Sequence, residues 1–240
     1  MPSSIPRQSR SPSPENDIFA VPDFIVPPRE IKTAGSTDLT FNGILPAPLK
    51  LHEDLAEGCG GQLWPAGMTL AQYMLAYHKN LRDKQIVEIG AGGGLVGLAV
   101  AIGCEVNTQL LMTDQLPMLG LMEKNVVING LQEKVRPSVY DWGSIEVPTF
   151  STATGKPDLI LAADCVYFEP AFPLLLRTLT DLIGTNTICY FCFKKRRKAD
   201  MRFIRDMRRT LEVKEVTYDW QIDDRRNMIF LYEVTSKIRS

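Results

Sequence analysis

The stretch IVEIGAGGGLVG, residues 86–97, constrains this chain more than any other. Gln85 to Ile89 reads as a short buried strand, the glycines after it as a tight turn, and Leu95, Leu98, Ala99 and Ile102 as the apolar stripe of a helix. A strand that feeds a helix through a glycine turn is the opening unit of a parallel sheet, because parallel strands must be joined by a crossover. The alternation continues with strands over 109–113, 135–140, 158–163 and 187–193. Helices are expected at Met118 to Ile128, closed by Asn129-Gly130, after Pro170, and at Ala199 to Leu211. Two strands, Glu215 to Trp220 and Met228 to Val234, end the pattern. Upstream, Thr69-x-x-Gln72 has the form of a capping box, followed by Leu70, Tyr73, Met74, Tyr77 and Leu81 at helical spacing. The expectation is an α/β, Rossmann-like, doubly wound, mostly parallel sheet with an antiparallel C-terminal strand at one edge. In such folds ligands bind at the carboxyl ends of the strands.

Gly92-x-Gly94-x-x-Gly97 satisfies the dinucleotide fingerprint, and Asp114 stands near the spacing of a ribose-binding acid. Glu88 argues for a different ligand. A carboxylate two residues before Gly90 repels a pyrophosphate at short range, whereas it attracts the sulfonium amino acid of S-adenosylmethionine. The backbone of Gly90-Ala91-Gly92 can approach that cofactor, the helix N-terminus favours its carboxylate, and Asp114 can accept both ribose hydroxyls. Tyr190-x-x-x-Lys194 has the spacing of a dehydrogenase pair on a helix, but ICYFCF reads as a strand, where residues four apart lie about 13 Å from one another.

The totals narrow the class. An apolar fraction of 45% with 23% charged residues is that of an ordinary soluble domain, and a net charge of -1 gives no global attraction to nucleic acid or membranes. Five cysteines, odd in number and irregularly spaced, point to buried thiols in a reducing, cytoplasmic setting, and no segment reaches membrane-spanning length. Residues 1–17, dominated by Ser, Pro and Arg, read as a disordered tail. Residues 18–62 read as an N-terminal arm with a strand pair near Leu39 to Leu45, and residues 63–235 as the folded domain.

Four ordered pieces carry a family resemblance: GCGGQLWPAG (58–67), VEIGAGGGLVG (87–97), Asp141-Trp142 and LILAADCVYF (159–168). Over roughly residues 38 to 235 the chain resembles the seven-β-strand protein-lysine methyltransferases of methyltransferase family 16, and KKRRKAD is similar to the fungal branch acting on elongation factor 1-alpha. The resemblance implies a seven-stranded sheet, S-adenosylmethionine as cofactor, no metal, and a protein substrate, elongation factor 1-alpha. It implies cofactor contacts from Trp64, Gly90, Ala91, Gly92, Asp114, Trp142 and Ala163, beside Glu88. Asp164 and Tyr167 fall on its D-x-x-Y motif, where the target side chain enters. Asp164 is expected to orient the lysine ammonium and Tyr167 to shape the channel, although a carboxylate there also opposes the deprotonation that attack requires. The Asn/Asp-Pro-Pro-aromatic sequence of nucleobase and glutamine methylating branches is absent at this point. A cytoplasmic monomer is expected.

Alternatives remain for particular motifs. Cys189-x-x-Cys192 invites a metal, but in a strand its side chains face opposite ways. The run KKRRK, Lys194 to Lys198, reads as a solvated loop, a docking surface for an acidic protein, a grip on RNA phosphates or a nuclear-import signal. An RNA methyltransferase, a dehydrogenase and a catalytically silent binding module on the same scaffold are the rival readings.

Overall fold

The computed structural model describes residues 34–54 and 59–237. The expected disordered tail, the first part of the arm and Gly58 lie outside the described residues.

Strands β1 (Gly35–Leu39) and β2 (Leu49–Glu53) pair antiparallel in a small sheet of their own. They are the strand pair expected near Leu39 to Leu45, lying on either side of that stretch, which forms the turn between them. Phe41, Asn42 and Gly43 all take positive φ, which reverses the chain there. Leu49 and Leu51 are buried in the main core, so this hairpin is tied to the domain.

The main sheet contains β3 (Ile86–Ile89), β4 (Leu110–Asp114), β5 (Val135–Val139), β6 (Leu159–Ala163), β7 (Ile188–Lys194), β8 (Leu211–Glu215) and β9 (Ile229–Ser236). Their order is β5-β4-β3-β6-β7-β9-β8, seven strands as the resemblance implied. β9 runs antiparallel to both neighbours, between β7 and β8, and the other pairings are parallel. Helices α1 (Pro65–Tyr77), α2 (Leu95–Gly103), α3 (Leu116–Ile128), α4 (Phe172–Leu182), α5 (Lys198–Thr210) and α6 (Gln221–Arg226) complete the chain. Side-chain alternation along the strands builds two cores. Leu159, Leu161, Tyr190 and Cys192 pack with α1 and α2 on one face. Ile160, Ala162, Cys189, Phe191 and Phe193 pack with α4 and α5 on the other. Cys189 and Cys192 therefore sit on opposite faces, and Tyr190 is only 4% exposed inside one of them.

Two element boundaries differ from the sequence expectation. α1 begins at Pro65, four residues before the expected Thr69 cap, because proline's fixed φ suits a first helical position and forces the preceding Trp64 to remain extended. Thr69 is buried within the helix, where its hydroxyl donates to Asp224 at 3.1 Å. The strand expected at Glu215 to Trp220 is β8, which starts at Leu211 directly after α5. The segment that follows has strand-like composition, but Tyr218 and Trp220 leave the sheet plane to pack on Tyr73 and Tyr77 of α1.

β3 is the switch point: the chain runs outward from it through β4 to β5 at the edge, then returns to place β6 on its other side. The crevice at its carboxyl end is where this topology opens a binding site.

Candidate active site

The carboxyl ends of β3, β4 and β6 converge on a cavity of about 630 Å³, within the range of about 300 to 1,000 Å³ typical of small-molecule sites. Trp64, Glu88, Gly90, Ala91, Gly92, Asp114, Trp142, Ala163, Asp164 and Tyr167 all line it.

The floor is the glycine loop. Gly90 and Gly92 have φ of +61° and +56°, a region costly for other residues. Their neighbours leave no space either: a Cβ at Gly90 would come within 2.9 Å of Trp142 and 3.0 Å of the Cys165 sulfur, and one at Gly92 within 2.3 Å of the Gly60 carbonyl. The two glycine-rich sequence pieces thus lie against each other, a contact that their separation in sequence conceals. Asn125 of α3, fully buried, clamps the same loop. Its Nδ2 donates to the Gly93 and His52 carbonyls at 2.8 and 3.1 Å, and its Oδ1 accepts the His52 amide at 2.8 Å.

Two carboxyl groups flank the loop. Asp114, at the end of β4, accepts the Gly92 and Gln115 amides, each at 2.7 Å. Burial raises its pKa above the ordinary carboxylate value, against the lowering by those amides. Glu88 is 2% exposed, and burial pushes its carboxyl up to about 8, only partly offset by a 2.8 Å hydrogen bond from the Gly97 amide in the first turn of α2. Burial thus favours a protonated Glu88 near neutrality, in place of the carboxylate assumed from the sequence. A cationic ligand shifts that balance back towards the charged form.

The opposite rim is built by the end of β6. Ala163 gives way to Asp164, which adopts a left-handed φ of +55° and is 6% exposed. Tyr167, half exposed, follows on the surface side. Arg196, not singled out in the sequence, reaches back from the end of β7 and grips Asp164 in a two-pronged ion pair at 2.9 and 2.8 Å. The Lys194 amide donates to the same carboxylate at 3.1 Å. The Arg196 guanidinium also lies 5.0 Å from the centre of the Trp64 ring. Arg197 donates to the Tyr167 carbonyl at 2.6 Å and pairs with buried Asp200, whose carboxylate accepts the Arg196 and Arg197 amides. Two arginines of the basic run are therefore paired with groups of the site while still partly open to solvent. No group of His, Cys, Asp and Glu among the described residues has the arrangement of a metal site.

This geometry agrees with what the chain resembles among known proteins. Residues 45–210 match a family described as lysine methyltransferase. A Saccharomyces cerevisiae relative, protein-lysine N-methyltransferase EFM6, is 37% identical over 80% of this chain and 87% of its own length. The mouse (Mus musculus) EEF1A lysine methyltransferase 3 is 36% identical over 58% of this chain and 57% of its own. Among solved structures, the T. thermophilus 16S rRNA N2 G1207 methyltransferase in complex with AdoMet and guanosine shares the fold. Its TM-score is 0.58 at 13% identity, covering 86% of this chain and 51% of that one.

Proposed function

The chain belongs to the lysine methyltransferase family, and on that premise we propose that its acceptor is a lysine of translation elongation factor 1-alpha. Its activity is that of an S-adenosylmethionine-dependent protein-lysine N-methyltransferase. The elongation-factor assignment draws support from the mouse relative, which is named for methylating EEF1A. A cytoplasmic site of action accords with that substrate, and no helix among the described residues is long and apolar enough to cross a membrane.

The residues present suit the cofactor. The observation that carries the reading is the glycine loop held open beneath Trp142, with Asp114 at its edge and an acidic Glu88 below. S-adenosylmethionine, when bound, supplies a methyl group activated by its positively charged sulfur. In our reading Asp114 accepts the ribose hydroxyls, and Gly90, Ala91 and Gly92 let the backbone lie against the methionine portion. Trp64, Trp142 and Ala163 form apolar walls, and Glu88 balances positive charge. Asp164 and Tyr167 flank the channel through which the lysine reaches the methyl. What the chain must then provide is alignment and an uncharged nucleophile.

The test is transfer of labelled methyl from the cofactor to recombinant elongation factor 1-alpha. Label on a lysine of that protein is expected. Label found instead on another protein of a lysate overturns the substrate. Label lost on nuclease treatment transfers the enzyme to RNA, a reading disfavoured by the prior engagement of two arginines with protein acceptors and by the missing Pro-Pro motif.

A further inference from the structure

The target amine must be unprotonated to attack, yet the acidic residue at its channel would hold it charged. Arg196 resolves that conflict. Both Asp164 oxygens are engaged by one guanidinium, and the Lys194 amide takes a further position on Oδ1. The Asp164 side chain is 4% exposed, so an ammonium has almost no route to it. Arginine stays protonated at any working pH, and its planar fork matches a carboxylate in a way that lysine's single point charge does not. Its contact with Trp64 gives the guanidinium a second anchor on α1.

We infer that Arg196 is a charge-balancing residue of the methyl transfer: by saturating Asp164, it denies the incoming lysine a counter-ion and so brings it to the methyl as a neutral amine. This rests on reading Asp164 and Tyr167 as the acceptor channel. The lysine proton leaves to solvent during docking. The nitrogen lone pair then forms the N–C bond while the C–S bond breaks, with its electron pair remaining on sulfur, so the positive charge passes from sulfur to nitrogen.

Other ionisable groups face this pair. The Cys165 thiol of the same turn and the Cys192 thiol of β7 are both pushed well up by burial and remain uncharged. Glu88 of β3 and Asp114 of β4 act on the Cys165 thiol, and Asp224 of α6 acts on the Cys192 thiol. Tyr167 stands on the rim, and Arg197 and Asp200 of the α5 cap satisfy each other. None of them supplies Asp164 with a cation equivalent to Arg196.

The experiment is single-turnover methylation of protein in a lysate from cells lacking the enzyme, with enzyme and cofactor in excess, read from about pH 6.5 to about pH 9.5. Arg196→Gln is expected to lose about tenfold in rate at neutral pH for each unit by which the bound amine's titration rises, and to recover as the pH is raised. Arg196→Lys, which keeps the charge but not the two-pronged geometry, is expected to give a profile between those of the wild type and Arg196→Gln. A thermal-shift titration with S-adenosylhomocysteine reports whether each variant is folded and holds the product cofactor. A loss equal at every pH makes the role purely structural and overturns the inference. An unchanged profile with tighter acceptor binding overturns it too, showing that Arg196 merely yields its place to the lysine. If Asp164→Asn is fully active, the acceptor channel lies elsewhere, and the reading beneath the inference falls with it.

Discussion

Glu88 Oε2 and the Gly97 amide are 2.8 Å apart, and this contact fixes the first turn of α2 against β3. Gly97 is there because nothing larger fits: a Cβ would lie 2.5 Å from Glu88 Oε2 and 3.1 Å from Leu110 Cδ2. Alanine is worth about 1 kcal/mol more than glycine inside a helix. Overpacking a buried site costs about 1 to 3 kcal/mol, and here it also stretches a hydrogen bond to a buried acid. Gly97→Ala is therefore expected to destabilise the protein in urea denaturation, despite its better helix propensity.

The same acid makes stability depend on pH. With the Glu88 carboxyl raised from 4.5 to about 8, the folded protein keeps a proton across that window which the unfolded chain has released. Stability from this group is thus lost as pH rises between those values, by about 1.4 kcal/mol per unit at most, and levels off beyond about 8. Glu88→Gln is expected to abolish this slope and to be the more stable protein at the alkaline end. Melting curves at several pH values, without cofactor, decide it; parallel wild-type and variant curves would contradict the buried-acid account.

Asn125 joins three segments through buried hydrogen bonds, and Asn125→Ala strands the His52 amide and two carbonyls. A loss of about 2 to 4 kcal/mol is expected, since unsatisfied buried groups cost about 1 to 3 kcal/mol each and partial relaxation lets water in. Chemical denaturation measures it. Cofactor affinity should fall as well, because the Gly93 backbone loses its clamp.

Asp114→Ala removes the proposed ribose acceptor and the anchor of the Gly92 amide. Titration calorimetry with S-adenosylhomocysteine should show affinity reduced by at least about tenfold, the equivalent of one hydrogen bond to a charged group. Undiminished affinity would place the ribose elsewhere.

Asp164→Asn tests the acceptor side alone. Asparagine tolerates the left-handed backbone found at Asp164, so the turn survives the change. Turnover should fall at least about a hundredfold, because the Arg196 guanidinium then loses its carboxylate and leaves an uncompensated positive charge beside the lysine channel, while cofactor binding stays within about twofold.

Much of this was written in local patterns. The glycine turn of 90–94 and the strand-end position of Asp164 mark themselves by residue type and spacing, whereas Trp64 came only through the family resemblance. What stayed hidden depended on which strand lies beside which. Arg196 looked like one more member of a solvated basic run, because its partner Asp164 is 32 residues away and becomes adjacent only when β6 and β7 pair. Asn125 offered no signal among the polar residues of α3, and the contact of Gly60 with Gly92 exists only once the loop before α1 folds over β3. The strand expected at 215–220 lies earlier, at Leu211–Glu215, for a related reason: aromatic residues suit a sheet, but tertiary packing on α1 claims Tyr218 and Trp220.

The place of β9 has a consequence for biosynthesis. Because residues 229–236 fill the gap between β7 and β8, neither of those strands has its full set of partners until this segment has left the ribosome. A nascent chain halted before Ile229 would present the edge of β7 to its surroundings and leave β8 with no place in the sheet, an invitation to intermolecular pairing. Formation of this sheet therefore waits on β9, and a chain truncated before Ile229 should aggregate rather than yield a weakened enzyme.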